Sequence, residues 1–170
     1  MFKSFSVSSV ILLCCAVLES AILSNITILP AVPDLSLLCV VFFSVTNGKI
    51  IGEGTGFISG LFIDFLSAGP FGLNCLVRTI IGYIGGCFNK TIRSDGIVIP
   101  CLLGFSATIL KAILLFVISF LYPSKVVSYN PFTLLFLVEL AFNTILAPFI
   151  FKLLGMFKNS VVLNPENIIQ

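Results

Sequence analysis

Gly48 to Asp64 reads GKIIGEGTGFISGLFID, and the spacing within this stretch decides the fold. Gly48, Gly52, Gly56 and Gly60 recur every four residues, and Asp64 takes the next step of the same series. Side chains four apart share one side of an α-helix, and glycine there lets a second backbone come close. The stretch therefore predicts a helix with a glycine face that ends in a carboxylate. Such a face serves either to pack against another helix of the chain, or to dock a partner helix or line a substrate cavity. Downstream, Arg78, Gly82 and Gly86 also lie at four-residue steps, and the connection Ser67 to Gly72, SAGPFG, is short and rich in turn formers. Two helices joined this way form an antiparallel hairpin whose glycine faces can meet.

The rest of the chain is of one kind. Of 170 residues, 58% are apolar and 9% charged, against roughly a quarter charged in an ordinary soluble domain. Mean hydropathy is +1.20, and apolar runs recur from Val7 to Leu154. The reading is an all-α integral membrane domain, a bundle of six transmembrane helices with short loops, five remaining the alternative. The predicted spans are residues 7–23, 34–46, 50–66, 73–88, 97–122 and 132–154, with residues 161–170 a loosely ordered tail. The second span is short for a crossing, which leaves it tilted, locally thinned around or re-entrant. Pro33 and Asp34 mark its start and Asn47-Gly48 its end.

Orientation follows from the positive charges, which concentrate in cytoplasmic loops. With six spans and both termini cytoplasmic, the inner segments hold Lys3, Lys49, Lys90, Arg93, Lys152 and Lys158, and the outer loops hold Lys125 alone. Were Asp34 to Leu66 a single crossing, Lys90 and Arg93 would fall opposite Lys3, so the charge rule favours six. Glu19 near the end of the first apolar run, with no small-residue cleavage pattern after it, makes that run a permanent span rather than a secretory signal. The triplets Asn25-Ile26-Thr27 and Asn89-Lys90-Thr91 match a glycosylation pattern that arises often by chance.

Several chemistries are excluded. Without histidine there is no Ser-His or Cys-His nucleophile pair and no H-E-x-x-H zinc site. A net charge of +2 with scattered lysines and arginines carries no nucleic-acid footprint. The six cysteines all lie in apolar runs, where they pack as small hydrophobes. Neither a metal site nor a cofactor site is expected.

The informative polar residues are those inside the spans: Glu19, Glu53, Asp64, Arg78, Lys111 and Glu139. Each costs about 2.5–3.5 kcal/mol at the centre of a membrane helix and so is expected to face protein. Asp64 and Arg78 lie six and eight residues from Pro70, a depth mismatch of about 3 Å at about 1.5 Å rise per residue. They are expected to pair, as are Lys111 and Glu139 on either side of the outer loop. A carboxylate chain for proton transfer is broken mid-membrane, since Glu19, Asp64 and Glu139 sit in the outer half and only Glu53 in the inner. A second aspartate beside Asp64 is missing for aspartyl catalysis, and no P-loop occurs.

The order of three motifs now adds a resemblance. Pro33-Asp34-Leu35, the run Gly56-Phe57-Ile58-Ser59-Gly60-Leu61-Phe62-Ile63-Asp64, and Gly69-Pro70-Phe71-Gly72-Leu73-Asn74 followed by Gly82-Tyr83 resemble the signature of the rod shape-determining MreD family. The turn residues Gly69, Pro70, Gly72 and Asn74 carry the third motif. The resemblance implies a non-enzymatic inner-membrane component of the bacterial cell-elongation machinery. Its implied partners are an MreC-like single-pass protein, an MreB-like actin homologue and cell-wall synthases, alongside membrane lipid. On this reading the glycine face and the Asp64/Arg78 region organise the hairpin and dock a partner's transmembrane helix. The alternative of a different class is a small-molecule-binding membrane subunit of a transporter, with Glu19, Asp64, Arg78 and Glu139 lining an outer cavity.

Overall fold

Every residue from Ser36 to Val45 is buried, so the helix that contains them touches protein on all sides. The computed structural model describes residues 2–21, 31–67, 69–89, 96–122 and 133–157. These form six helices and no strand: α1 (Phe2–Ala21), α2 (Leu35–Asn47), α3 (Lys49–Leu66), α4 (Leu73–Cys87), α5 (Val98–Leu121) and α6 (Leu134–Met156). The helix α2, apolar but for Ser36, Ser44, Thr46 and Asn47, is the hub, in contact with all five others. Its 13 residues make it the shortest helix. Enclosed by protein, it has no need to match the thickness of a bilayer by itself.

Asp34 starts α2 as its N-cap, its side chain accepting a hydrogen bond from the Leu37 N–H. Gly48 ends it with φ +89°, a left-handed value that L side chains rarely adopt, and α3 begins at the next residue. Gly48 is thus a turn residue. A Cβ there would make only ordinary contact with Asn89, so the first member of the four-residue series does not pack helix on helix. Gly72, φ +92°, plays the matching part before α4, and Gly69 has only the Ser67 hydroxyl near it.

The other glycines bring α3 and α4 into backbone contact. A methyl group on Gly52 would meet the Gly82 carbonyl oxygen, and one on Gly82 the Gly52 carbonyl. At Gly56 it would meet the Arg78 carbonyl, at Gly60 the Cys75 backbone, and at Gly86 the Lys49 Cα. The glycine face is therefore covered by the chain's own fourth helix and is not open to a partner. A smaller contact of the same kind joins α5 to α6, where Gly104 faces Ala147 and the Asn143 carbonyl.

The core lies around α2: Leu12 of α1, Val40, Phe42 and Phe43 of α2, Val77 and Ile81 of α4, and Phe151 and Leu154 of α6. Phe42 meets the Phe151 ring edge-on, centroids 5.3 Å apart. Helices α5 and α6 are long and apolar enough to cross a membrane, and they leave Phe116, Phe120, Leu137 and Phe149 exposed. The glycosylation triplet at 25–27, the charges Lys90, Arg93, Lys125 and Lys158, and the tail 161–170 lie outside the described residues.

The close approach sets an expected outcome. Gly56→Ala and Gly60→Ala each press a methyl group onto α4 backbone and should destabilise by about 1–3 kcal/mol. At Gly155 nothing lies within 4 Å of an added Cβ, so Gly155→Ala should be neutral or stabilising by up to about 1 kcal/mol. Thermal unfolding of the purified protein in detergent checks this; equal midpoints for all three variants would contradict the close contact.

Candidate functional site: a buried ion network

Asp34 sits where α2 begins, and its carboxylate gathers groups from three helices. Oδ1 accepts from the Leu37 N–H at 2.9 Å and from Arg78 Nη2 of α4 at 2.6 Å. Oδ2 accepts from Lys111 Nζ of α5 at 2.7 Å. The Asp34 N–H donates to Asn143 Oδ1 of α6 at 2.8 Å. Asp34 is 6% exposed and Arg78 3%, so the ion pair lies away from solvent, where an uncompensated charge would be very costly.

The network extends outward from this centre. Arg78 Nη1 donates to the hydroxyls of Ser36, 2.6 Å, and Ser59 of α3, 2.8 Å. Lys111 reaches Glu139 Oε1 of α6 at 2.7 Å. Glu19 of α1 accepts from the Ser36 N–H at 2.5 Å and from the Ser36 hydroxyl at 3.0 Å. That hydroxyl has one proton to give, and Glu19 lies nearer than Asp34 Oδ1 at 3.3 Å. Ser36 thus relays Arg78 to Glu19, accepting from one and donating to the other. Asn143 donates to Thr108 Oγ1, 3.1 Å, and Thr108 to the Gly104 carbonyl, 2.8 Å. One connected set of hydrogen bonds touches all six helices.

The expected pairing of Asp64 with Arg78 is corrected by this arrangement. Asp64 instead accepts four bonds from the start of α4: the N–H groups of Gly72 (2.9 Å), Asn74 (3.1 Å) and Cys75 (3.1 Å), and Asn74 Nδ2 (2.9 Å). The first turn of a helix has unsatisfied donors and the positive end of its dipole, and a carboxylate reached from α3 satisfies both. Arg78, one turn deeper, turns to α2. The hairpin geometry on which the pairing rested holds only two helices, and the third supplies the stronger partner.

Other site residues are placed as follows. Lys111 and Glu139 come together, with Asp34 as the lysine's second partner. Gly52, Gly56, Gly60, Gly82 and Gly86 fill the α3–α4 seam, and Gly48, Gly69, Pro70 and Gly72 belong to turns. Glu53 is exposed rather than turned inward, one helical turn into α3. Cys39 and Cys75 are buried, whereas Cys14 and Cys87 face outward. Glu19 borders a cleft of about 360 Å³ with Ser20, Val32, Ile63, Leu66 and Ser67, and Arg78 and Glu139 do not line it. Asp34 was legible as a helix start and as part of the Pro33-Asp34-Leu35 motif, not as an ion-pair partner. Ser36 and Asn143 carried no motif, their one signal being a polar side chain within an apolar run, and Ser59 lay within the Gly56–Asp64 motif without a role of its own.

The network predicts which double substitutions compensate. Asp34→Asn leaves Arg78 short of its only ion-pair partner among the described residues and should cost about 3–5 kcal/mol. Adding Arg78→Gln should restore part of this, with a coupling of about 0.5–3 kcal/mol, while Asp64→Asn and Arg78→Gln should combine additively. Abundance in membranes and the unfolding midpoint of the four variants decide; coupling to Asp64 rather than Asp34 would refute the arrangement.

No curated protein and no solved structure matches the chain. The family model described as rod shape-determining protein MreD matches residues 2–157, from the first residue of α1 to the one that caps α6. The interior that the network organises is thus the part the family defines, and the chain belongs to the MreD family of rod shape-determining proteins.

Proposed function

We propose that the protein is a non-enzymatic, multi-pass scaffold of the cytoplasmic (inner) membrane that serves rod shape and lateral peptidoglycan synthesis through helix–helix contacts with partner membrane proteins. The observation that carries this reading is the family match over nearly the whole helical domain. The geometry supports an architectural role. The ion pairs of the interior bind helices to one another, and Arg78 and Lys111 are each engaged by a carboxylate of the chain itself. Meanwhile the outer faces of α1, α5 and α6 present Val10, Leu13, Phe116, Phe120, Leu137 and Phe149 outward, as suits lipid and apolar partner helices.

The proposed topology has six crossings with both termini cytoplasmic, which places Lys49, Lys152 and the loop 89–96 inside and the start of α2, with the ion network, in the outer half. The partners on this reading are an MreC-like single-pass protein, an MreB-like actin homologue and cell-wall synthases. Because α4 covers the glycine face, partner contact falls on the outer surfaces of the bundle.

Affinity purification of the tagged full-length protein from its native membrane after brief crosslinking tests the reading. A single-pass coiled-coil protein and cell-wall synthases should be enriched over an unrelated membrane-protein control. Enrichment of a nucleotide-hydrolysing module with its membrane coupler, and no cell-wall protein, would overturn the scaffold in favour of a transporter subunit.

A further inference from the structure

The interior network holds three carboxylates, Glu19, Asp34 and Glu139, against two cations, Arg78 and Lys111. Asp34 pairs with both cations and Glu139 with Lys111, whereas Glu19 forms no ion pair among the described residues. Among the described residues, its carboxylate is held by the Ser36 N–H and hydroxyl. Glu19 is 8% exposed, and it borders the cleft of about 360 Å³ at the end of α1 and α3. Val32, Ile63 and Leu66 give that cleft apolar walls, and Ser20 and Ser67 supply hydroxyls.

A nearly buried carboxylate without a counter-ion, reached through an apolar cleft, is complementary to an aliphatic stem that ends in an ammonium or guanidinium. The stem covers apolar wall while the charged head pairs with the carboxylate. The surroundings select the source of such a group. Leu66 of α3 lines the cleft and is exposed, and Phe65 before it and Val17 and Leu18 just before Glu19 in α1 are exposed as well, so a helix laid along this apolar surface can lower one long side chain into the cleft.

We propose that the Glu19 cleft receives a lysine or arginine side chain from a transmembrane segment of a partner protein, with Glu19 as its counter-ion. The proposal rests on the scaffold reading and names where one partner is gripped. Neutralising Glu19 removes half of a buried charge pair, which corresponds to a loss of partner capture of about tenfold or more.

The test places a photoreactive benzoylphenylalanine at Leu66 in the full-length protein and irradiates native membranes. Adducts are identified by mass spectrometry and normalised to protein abundance. The expected adduct joins Leu66 to a partner segment that contains a lysine or arginine, and it falls about tenfold in Glu19→Gln, which keeps the shape and hydrogen-bonding reach of the side chain without its charge. Ser67→Trp, which narrows the cleft and leaves Glu19 with Ser36, should reduce the adduct similarly. This second variant decides the matter where Glu19→Gln lowers abundance. Undiminished capture in both variants overturns the proposal, as does capture only of lipid or of the chain's own Lys125 segment. If cell-wall partners still co-purify in that event, the scaffold reading stands without the cleft. If no partner co-purifies from the parent protein, both fall.

Discussion

The Asp34 carboxylate lies between two cations, Arg78 at 2.6 Å and Lys111 at 2.7 Å, and the positions of three helices depend on that meeting. An aspartate has a short side chain, so the start of α2 must come close to both α4 and α5 for the contacts to exist. Its backbone N–H is taken by Asn143, which fixes α6 against the same point. Removing any one of these groups leaves others buried and unmatched, and a half-satisfied polar network is worse than an apolar core of the same shape. The arrangement therefore specifies one packing of the helices more strongly than it adds to stability.

What brings Arg78 to this position is the glycine seam. Gly52, Gly56 and Gly60 let α4 lie directly on the backbone of α3, and Gly56 faces the Arg78 carbonyl itself. A larger residue there would push α4 outward and carry the guanidinium away from Asp34 and from the Ser59 hydroxyl, now at 2.8 Å. Close packing and ion pairing are thus coupled. Asp64 adds a third constraint: by holding the first N–H groups of α4, it fixes where that helix starts and so the depth at which Arg78 projects.

The hairpin of α3 and α4 was legible because its signals are local: a four-residue glycine period and a short turn. The burial of α2 was half legible, since an unbroken apolar run tells of burial but not of which helices surround it. The partner of Arg78 was not legible at all. Asp34 and Arg78 are 44 residues apart, and depth counted within one hairpin offers Asp64 as the nearer carboxylate. Asp64 is occupied by the N–H donors that begin α4, and only a third helix in place brings Asp34 to Arg78. Ser36, Ser59 and Asn143 were hidden for the same reason, because a single serine or asparagine in an apolar helix acquires meaning from the group across from it.

The inward use of the glycines has a consequence for recognition. In a bilayer, lipid tails are as apolar as leucine, so helices associate by close backbone approach or by polar contacts rather than by escape from water. Here the close approach is taken up between α3 and α4, and the outer faces carry bulky phenylalanine, leucine and valine, which on the proposed membrane reading lipid solvates as well as a partner would. On the proposed reading, discrimination among partners then falls to the polar exceptions. Glu53 lies one turn from the start of α3, in reach of water at the helix end. Glu19 is different: it is nearly buried, bound to Ser36, and bordered by a cleft that opens beside an apolar surface. On the proposed scaffold reading, a charge left over from the interior is the group best placed to distinguish a partner helix from lipid.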